Sequence, residues 1–264
     1  MADPRITDAL ARLVDLMARL RAPGGCPWDR EQTYQTLRRY VLEEAYEVVD
    51  AIDRGRIDEL CEELGDLLLQ VVFQADIATE ARDFTLAEVA NGIADKLVRR
   101  HPHVFGDVVV RDADEVIQNW RQIKAAERAA KGGDASVLAA VPVALPALIR
   151  AQEVGGKAAH VGFDWPDLSS VVAKLDEERR ELEAAVAGQD PEAAARELGD
   201  VLLTATSVAR HLGISAEDAL REATLRFEQR LRAVEAAARE RGTALGDLAP
   251  AELDRLWQQA KRTV

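Results

Sequence analysis

At 264 residues, 48% of them apolar, the chain is long enough for two domains with cores of their own. Its formal net charge of −13 repels a phosphate backbone, which argues against a nucleic acid polymer as partner and leaves a small polyanion only where divalent cations or local Lys and Arg reverse the sign. The longest apolar stretch, 137–149, is broken by Pro142 and Pro146, the first ten residues carry Asp3 and Asp8 rather than a secretory pattern, and Cys26 and Cys61 read as ordinary thiols, so a cytoplasmic protein without a membrane segment is expected.

Apolar residues recur at spacings of three and four almost throughout, which predicts an all-α fold. Ile6, Leu10, Leu13, Met17 and Leu20 form the first stripe, stopped by Pro23-Gly24-Gly25. Further helices are predicted over 36–53, 58–79, 86–99 and 114–130, and the second half repeats the pattern. Thr85-x-x-Glu88 and Ser215-x-x-Asp218 read as capping boxes, and Asp190 as an N-cap ahead of Pro191 at the first helical position.

The repeat is the most informative feature. Glu43-Glu44-x-x-Glu47 with Glu63-Leu64-Gly65-Asp66 recurs 134 residues later as Glu177-Glu178-x-x-Glu181 with Glu197-Leu198-Gly199-Asp200. Trp28 and Trp165 are 137 apart, as are Trp120-x-x-x-Lys124 and Trp257-x-x-x-Lys261. The glycines at 132 and 133 suit a join between copies, giving two tandem four-helix-bundle-like units over 1–132 and 133–264.

On a helix, residues three apart share a face, so each copy presents paired carboxylates. Leu37, Tyr40, Glu44, Glu47 and Ala51, like Leu168, Val171, Leu175, Glu178 and Leu182, place acids where core residues are expected. Asp66 sits in the apolar run 64–73, which predicts a helix buried on most sides. A single ExxE is ordinarily a solvated surface, but such a surface has no reason to stay in register with a duplicated ELGD. Acids in an apolar setting need a counter-charge, and an oxygen-only set suits Mg²⁺ or Mn²⁺. Glu44, Glu47, Glu63 and Asp66 are therefore candidate metal ligands in the first copy, and Glu178, Glu181, Glu197 and Asp200 in the second. A carboxylate-held Mg²⁺ in a bundle implies a polyphosphate ligand. Lys96 with Arg100, Arg226 with Arg230, and Lys124 and Lys261 four residues after a Trp can meet phosphate and base; the plain alternative makes each Trp a core anchor and each Lys a helix cap.

No GxxxxGK[ST], GxGxxG or GxSxG occurs, and no His has an acid three before it, which excludes the ferritin-like Glu-x-x-His set. His101-Pro102-His103 reads as a loop with hydrogen-bonded histidines rather than a metal site.

These residues resemble a known family. EExxE followed by ExxD is the signature of the all-α nucleotide pyrophosphohydrolases. Gly25-Cys26-Pro27-Trp28-Asp29, Arg99-Arg100-His101-Pro102-His103-Val104-Phe105 and Val161-Gly162-Phe163-Asp164-Trp165 resemble the bacterial two-copy MazG proteins over nearly the whole chain. The resemblance implies Mg²⁺-dependent hydrolysis of a nucleoside triphosphate such as ATP to monophosphate and pyrophosphate, in a homodimer. It implies that Glu178, Glu181, Glu197 and Asp200 bind metal and that Lys174, Arg226, Arg230, Trp257 and Lys261 contact nucleotide, with Arg226 standing where related sequences often have lysine. Glu177 or Glu43, beside a ligand but pointing about 100° away, is a candidate for orienting or deprotonating water. The residues alone permit two active sites; the resemblance favours the second copy, where Lys174 precedes the acids and the first has Tyr40. The rival reading is a non-catalytic helical interaction module with acidic binding faces.

Overall fold

The computed structural model describes residues 3–130, 136–139 and 141–263. Twelve helices and no strands occur among them, and 79% of the chain is helical. Contacts divide the chain into two all-α units, Met1–Glu127 and Arg128–Val264. The join expected at 131–134 lies outside the described residues.

The first unit contains α1 (Pro4–Arg21), α2 (Pro27–Glu31), α3 (Tyr34–Asp53), α4 (Ile57–Ala81), α5 (Leu86–Arg100), α6 (Pro102–Phe105) and the start of α7 (Ala113–Ala130). α1, α3 and α5 each begin on a side chain that satisfies free N–H groups of the first turn, whereas α4 starts at Arg56 with no side-chain cap. Asp3 caps α1, Thr33 and Thr36 cap α3 reciprocally, and Thr85 and Glu88 form the expected capping box of α5. α3 and α4 pack as a hairpin, with α1 and α5 against α4. Met17, Leu37, Val72 and Phe73 are the buried centre, surrounded by Leu13, Val14, Tyr40, Leu69, Ile77 and Leu86.

The second unit contains α8 (Ala147–His160), α9 (Leu168–Ala187), α10 (Pro191–His211), α11 (Ala216–Glu240), a 3₁₀ turn at Leu245–Asp247 and α12 (Pro250–Thr263). Asp167, Asp190 and Ser215 cap α9, α10 and α11. α9 and α10 form the counterpart hairpin, α8 lies on α10, and α12 runs along α11. Val171, Thr204, Thr206 and Ser207 are buried in the hairpin, while Val234, Leu256 and Ala260 close the α11–α12 pair.

The two hairpins turn identically. Gly55 has φ +65° and Gln189, its counterpart, +55°. The next N–H returns to the helix in each, from Arg56 to the Ala51 carbonyl at 3.0 Å and from Asp190 to that of Ala185 at 3.2 Å.

Two expectations need correction. The 64–73 segment is not buried on most sides: Gln70, Val72 and Phe73 are buried, but Leu64, Leu68 and Val71 are exposed at 49%, 38% and 43%. α4 has two apolar faces, and α1 and α3 cover only one. Leu198 and Leu202, the counterparts of Leu64 and Leu68, are equally open at 49% and 48%. The His-Pro-His segment forms α6, one turn started by Pro102, rather than a loop. His101 Nδ1 lies 2.6 Å from the Leu97 carbonyl, whereas the enclosed Nδ1 of His103 finds no partner among the described residues. No helix of the described residues is long and apolar enough to cross a membrane.

Candidate active site

The hairpin turn sets the register of the acids. In an antiparallel pair, residues equally far from the turn stand side by side. Glu178 lies eleven residues before Gln189 and Asp200 eleven after, while Glu181 and Glu197 are each eight away. About Gly55 the same counts hold for Glu44 with Asp66 and for Glu47 with Glu63. The fold therefore brings each ExxE onto its ExxD.

Glu178, Glu197 and Asp200 each offer an oxygen, and the three lie within 4.8 Å of one another. Glu44, Glu63 and Asp66 do the same. Opposite ligands of an octahedral Mg²⁺ are separated by about 4.2 Å at bond lengths of ~2.1 Å, so each trio fits the span of a single small hard cation. Glu181 and Glu47 lie beside their trios rather than within them. Burial first, then the charges of Glu178 and Glu197, pushes the Glu181 carboxyl above the usual range. Burial first, then Asp66 and Glu47, raises Glu44, and burial, Glu47 and Asp66 raise Glu63.

Burial of the acids is uneven. Glu178 is 6% exposed, Glu44, Glu63, Asp66 and Glu197 are half-buried, and Glu47, Glu181 and Asp200 face solvent. The acid that pays most for desolvation has a cation of its own. Lys174 Nζ is 2.8 Å from both Glu178 Oε1 and Glu177 Oε1. Lys174 is raised by these bonds, and Glu177 is held below the usual carboxylate range, first by the Lys174 hydrogen bond. A carboxyl moved in that direction is a weaker base. In the first copy, Tyr40 occupies the place of Lys174 and packs edge-on against Trp28, ring centroids 5.9 Å apart.

The other residues expected to contact nucleotide form a separate group on α11 and α12. Trp257 packs on Phe227 at 5.1 Å, and Lys261 Nζ is 6.0 Å from the indole centroid. Arg226, half-exposed, is 3.5 Å from Glu222. Arg230 has an enclosed Nε with no hydrogen-bond partner among the described residues. Among the described residues, no hydrogen bond or ion pair joins this group to the acids. The structure thus brings the acids and Lys174 together, and Trp257 with Lys261, without linking the two sets. In the first copy Arg100, the counterpart of Arg230, is taken up by Glu127: Nη2 to Oε2 is 2.6 Å, and Arg100 and Arg99 hold that carboxyl at about 2.

Two residues escaped the sequence reading. Gln70 continues the Glu63–Asp66 face, and its amide Nε2 is 3.5 Å from Glu44 Oε1; the signal was a lone amide in an apolar run. Arg210 clamps Asp164 in the turn before α9, with Nη1 2.8 Å from Oδ2. No local sequence signal pairs residues so far apart.

The MazG nucleotide pyrophosphohydrolase domain model matches residues 32–105 and 167–234, one match on each acid hairpin. The chain is 47% identical over 254 residues to the nucleoside triphosphate pyrophosphohydrolase of Escherichia coli strain K12, covering 95% of this chain and 96% of that one. It belongs to the MazG family. The nucleoside triphosphate pyrophosphohydrolase/pyrophosphatase MazG of Thermotoga maritima is 41% identical over 94% of both chains. A relative from Mycolicibacterium smegmatis, also called nucleoside triphosphate pyrophosphohydrolase, is 40% identical over 70% of this chain and 58% of its own. Two MazG copies within one chain explain the 134-residue recurrence, and both copies carry the acid trio.

Proposed function

We propose that this MazG protein hydrolyses nucleoside triphosphates, ATP among them, to monophosphate and pyrophosphate with Mg²⁺ or Mn²⁺, acting in housecleaning of the nucleotide pool. The observation that carries this reading is the second-copy trio of Glu178, Glu197 and Asp200, with Glu181 beside it, in a chain 47% identical to a nucleoside triphosphate pyrophosphohydrolase. In this account Glu178, Glu181, Glu197 and Asp200 would hold the cation, which would neutralise charge on the triphosphate and help place a water for attack on phosphorus. Lys174 turns from Glu178 to a phosphate oxygen. Arg226 and Arg230 take the remaining phosphate charge, Arg226 as a planar fork rather than a point charge. Trp257 offers a face for base or ribose, with Lys261 beside it. Glu177, already hydrogen-bonded to Lys174, keeps that ammonium aimed; Glu43 has the same place in the first copy. Preorganised charge at the site is the source of most of the rate enhancement.

The second copy is the better triphosphate site because Lys174 has no basic counterpart in the first, and Arg100 is occupied by Glu127 whereas Arg230 has no carboxylate partner among the described residues. The domain division is proposed at 1–132 and 133–264. We further propose a homodimer, because Leu64, Leu68, Leu198 and Leu202 leave matching apolar patches beside both trios. The substrate pool and the free thiols Cys26 and Cys61 suit the reducing cytoplasm. Nothing in the geometry favours an interaction module or a nucleic acid polymer.

The test is pyrophosphate release from a nucleoside triphosphate panel with Mg²⁺, repeated after exhaustive EDTA treatment. Stoichiometric monophosphate and pyrophosphate, abolished by EDTA, is expected. Full activity after chelation, or release of orthophosphate alone, contradicts the proposal.

A further inference from the structure

Each unit docks a helix on its hairpin, α1 on α4 and α8 on α10, and each docked helix ends in a turn through a glycine at φ +86°, Gly24 or Gly162. The two hairpins are copies of one design, so a chain that carries both offers each docking helix a right partner and a wrong one. Misassembly between units is the characteristic failure of such repeats. Apolar burial separates the two outcomes poorly, because it is non-directional.

Charge separates them. The positions ten residues beyond Asp66 and Asp200 are Asp76 and Arg210. In the first unit the hairpin is acidic and the docking helix basic: Arg21, 8% exposed, has Nε 3.3 Å from Asp76 Oδ2 and Nη2 2.5 Å from Glu80 Oε2. In the second unit the polarity is reversed. Arg210 is the hairpin charge and Asp164, in the turn after α8, is its partner, with Nη1 2.8 Å from Oδ2. His211 Nε2, also on α10, lies 3.3 Å from Asp164 Oδ1. Exchange of partners would set Arg21 against Arg210, and Asp164 against Asp76 and Glu80. Like charges would then face each other, and the buried Arg21 would lose the acids that offset its desolvation.

Shape runs the same way. A Cβ at Gly155 would come 3.7 Å from Arg210 Nε and one at Gly156 4.0 Å from its Cδ, so α8 passes the Arg210 stem with no side chain between them. α1 instead buries Met17 with Leu37, Val72 and Phe73.

We propose that the opposite polarities of Arg21–Asp76 and Asp164–Arg210 are a pairing code, which directs α1 to the first hairpin and α8 to the second and keeps the duplicated units from exchanging helices within or between chains.

Refolding of the full chain from urea tests it, read as the fraction that regains the size-exclusion position and ellipticity of the same protein never unfolded. Two variants of the second unit are compared. Asp164→Asn with Arg210→Gln removes the charges, whereas Asp164→Arg with Arg210→Asp reverses them, which keeps an ion pair but gives both units one polarity. The reversed chain should melt at or above the neutral one, yet refold at least about twofold less completely, the remainder forming larger oligomers or precipitate. Adding Arg21→Asp with Asp76→Arg reverses the first unit as well and restores the opposition. This quadruple variant should refold at least as completely as the neutral chain, although it carries every substitution of the reversed one. Arg21 also donates to the Asp29 and Gln32 carbonyls, so the quadruple variant can fail to fold; the neutral and reversed second units then decide alone. A reversed chain that refolds as completely as the neutral one, or that melts below it, overturns the inference. So does a folded quadruple variant that refolds no better than the reversed chain.

Discussion

Lys174 Nζ stands 2.8 Å from Glu178 Oε1 one turn along α9, and Glu178 is the buried acid of its trio. The ammonium thus occupies electrostatically the place that a cation takes when the site is loaded. Removing it leaves a desolvated carboxylate with no opposite charge until metal arrives. Lys174→Met should lower the melting temperature of metal-free protein by a few degrees, and saturating Mg²⁺ should restore most of the loss. Turnover should fall by about an order of magnitude or more, because the charge offered to phosphate is gone. Calorimetry with and without Mg²⁺ checks the first part; a stability loss that Mg²⁺ leaves untouched would mark Lys174 as a structural partner only.

The Asp164–Arg210 clamp gives a pH signature. Arg210 chiefly, with His211 and the Trp165 N–H, holds the Asp164 carboxyl down from 3.8 to about 2. A carboxylate whose folded value lies below its unfolded one stabilises the fold above the unfolded value, and that contribution vanishes as pH falls through the folded one. Arg210→Met should therefore cost about 1 kcal/mol or less near pH 7, since Asp164 is open to solvent and screened. The difference from wild type should shrink between about pH 4 and pH 2. Urea titrations across that range decide it: a gap as wide at pH 2 as at pH 7 means that Arg210 acts by packing rather than charge.

Backbone strain offers a test independent of metal. Gln189 at φ +55° and Arg82 at +62° are the non-glycine residues in the left-handed region among those described. Gly55 and Gly213 hold the matching places in the other copy, at +65° and +69°. The left-handed conformation costs an ordinary residue ~1–2 kcal/mol, partly offset by the greater unfolded freedom of glycine. Gln189→Gly and Arg82→Gly should each stabilise by roughly 0.5–1 kcal/mol, read from urea midpoints. Destabilisation by either would show that its side chain makes a contact worth more than the strain.

Helix stripes and caps were legible in the chain because each depends on neighbours three or four residues apart, and the 134-residue recurrence because residue identities repeat directly. The acids could be paired for the same reason, once a turn midway between ExxE and ExxD fixed the register. Tertiary choices were hidden. The run 64–73 is apolar on two faces, and no local pattern says that Leu64 and Leu68 stay uncovered while Phe73 is buried. The glycine of the second hairpin is Gly188, yet Gln189 takes the positive φ, because the turn geometry and not residue preference sets which position bends. Trp257 and Lys261 could be recognised as a pair, but their place along α11 rather than against the acids depends on long-range packing.

Both trios gather their oxygens within 4.8 Å, so the account turns on which one works. Turnover should depend on the copy that has Lys174 and an Arg230 with no carboxylate partner among the described residues. The deciding measurement is the rate of pyrophosphate release, at saturating Mg²⁺ and nucleoside triphosphate, for Asp200→Asn and Glu181→Gln set against Asp66→Asn and Glu47→Gln. The second-copy variants should lose at least about a hundredfold, the scale of losing one site of transition-state charge stabilisation. The first-copy variants should keep most of the wild-type rate. Equal losses in both pairs, or an Asp200→Asn protein that still turns over, would contradict the account.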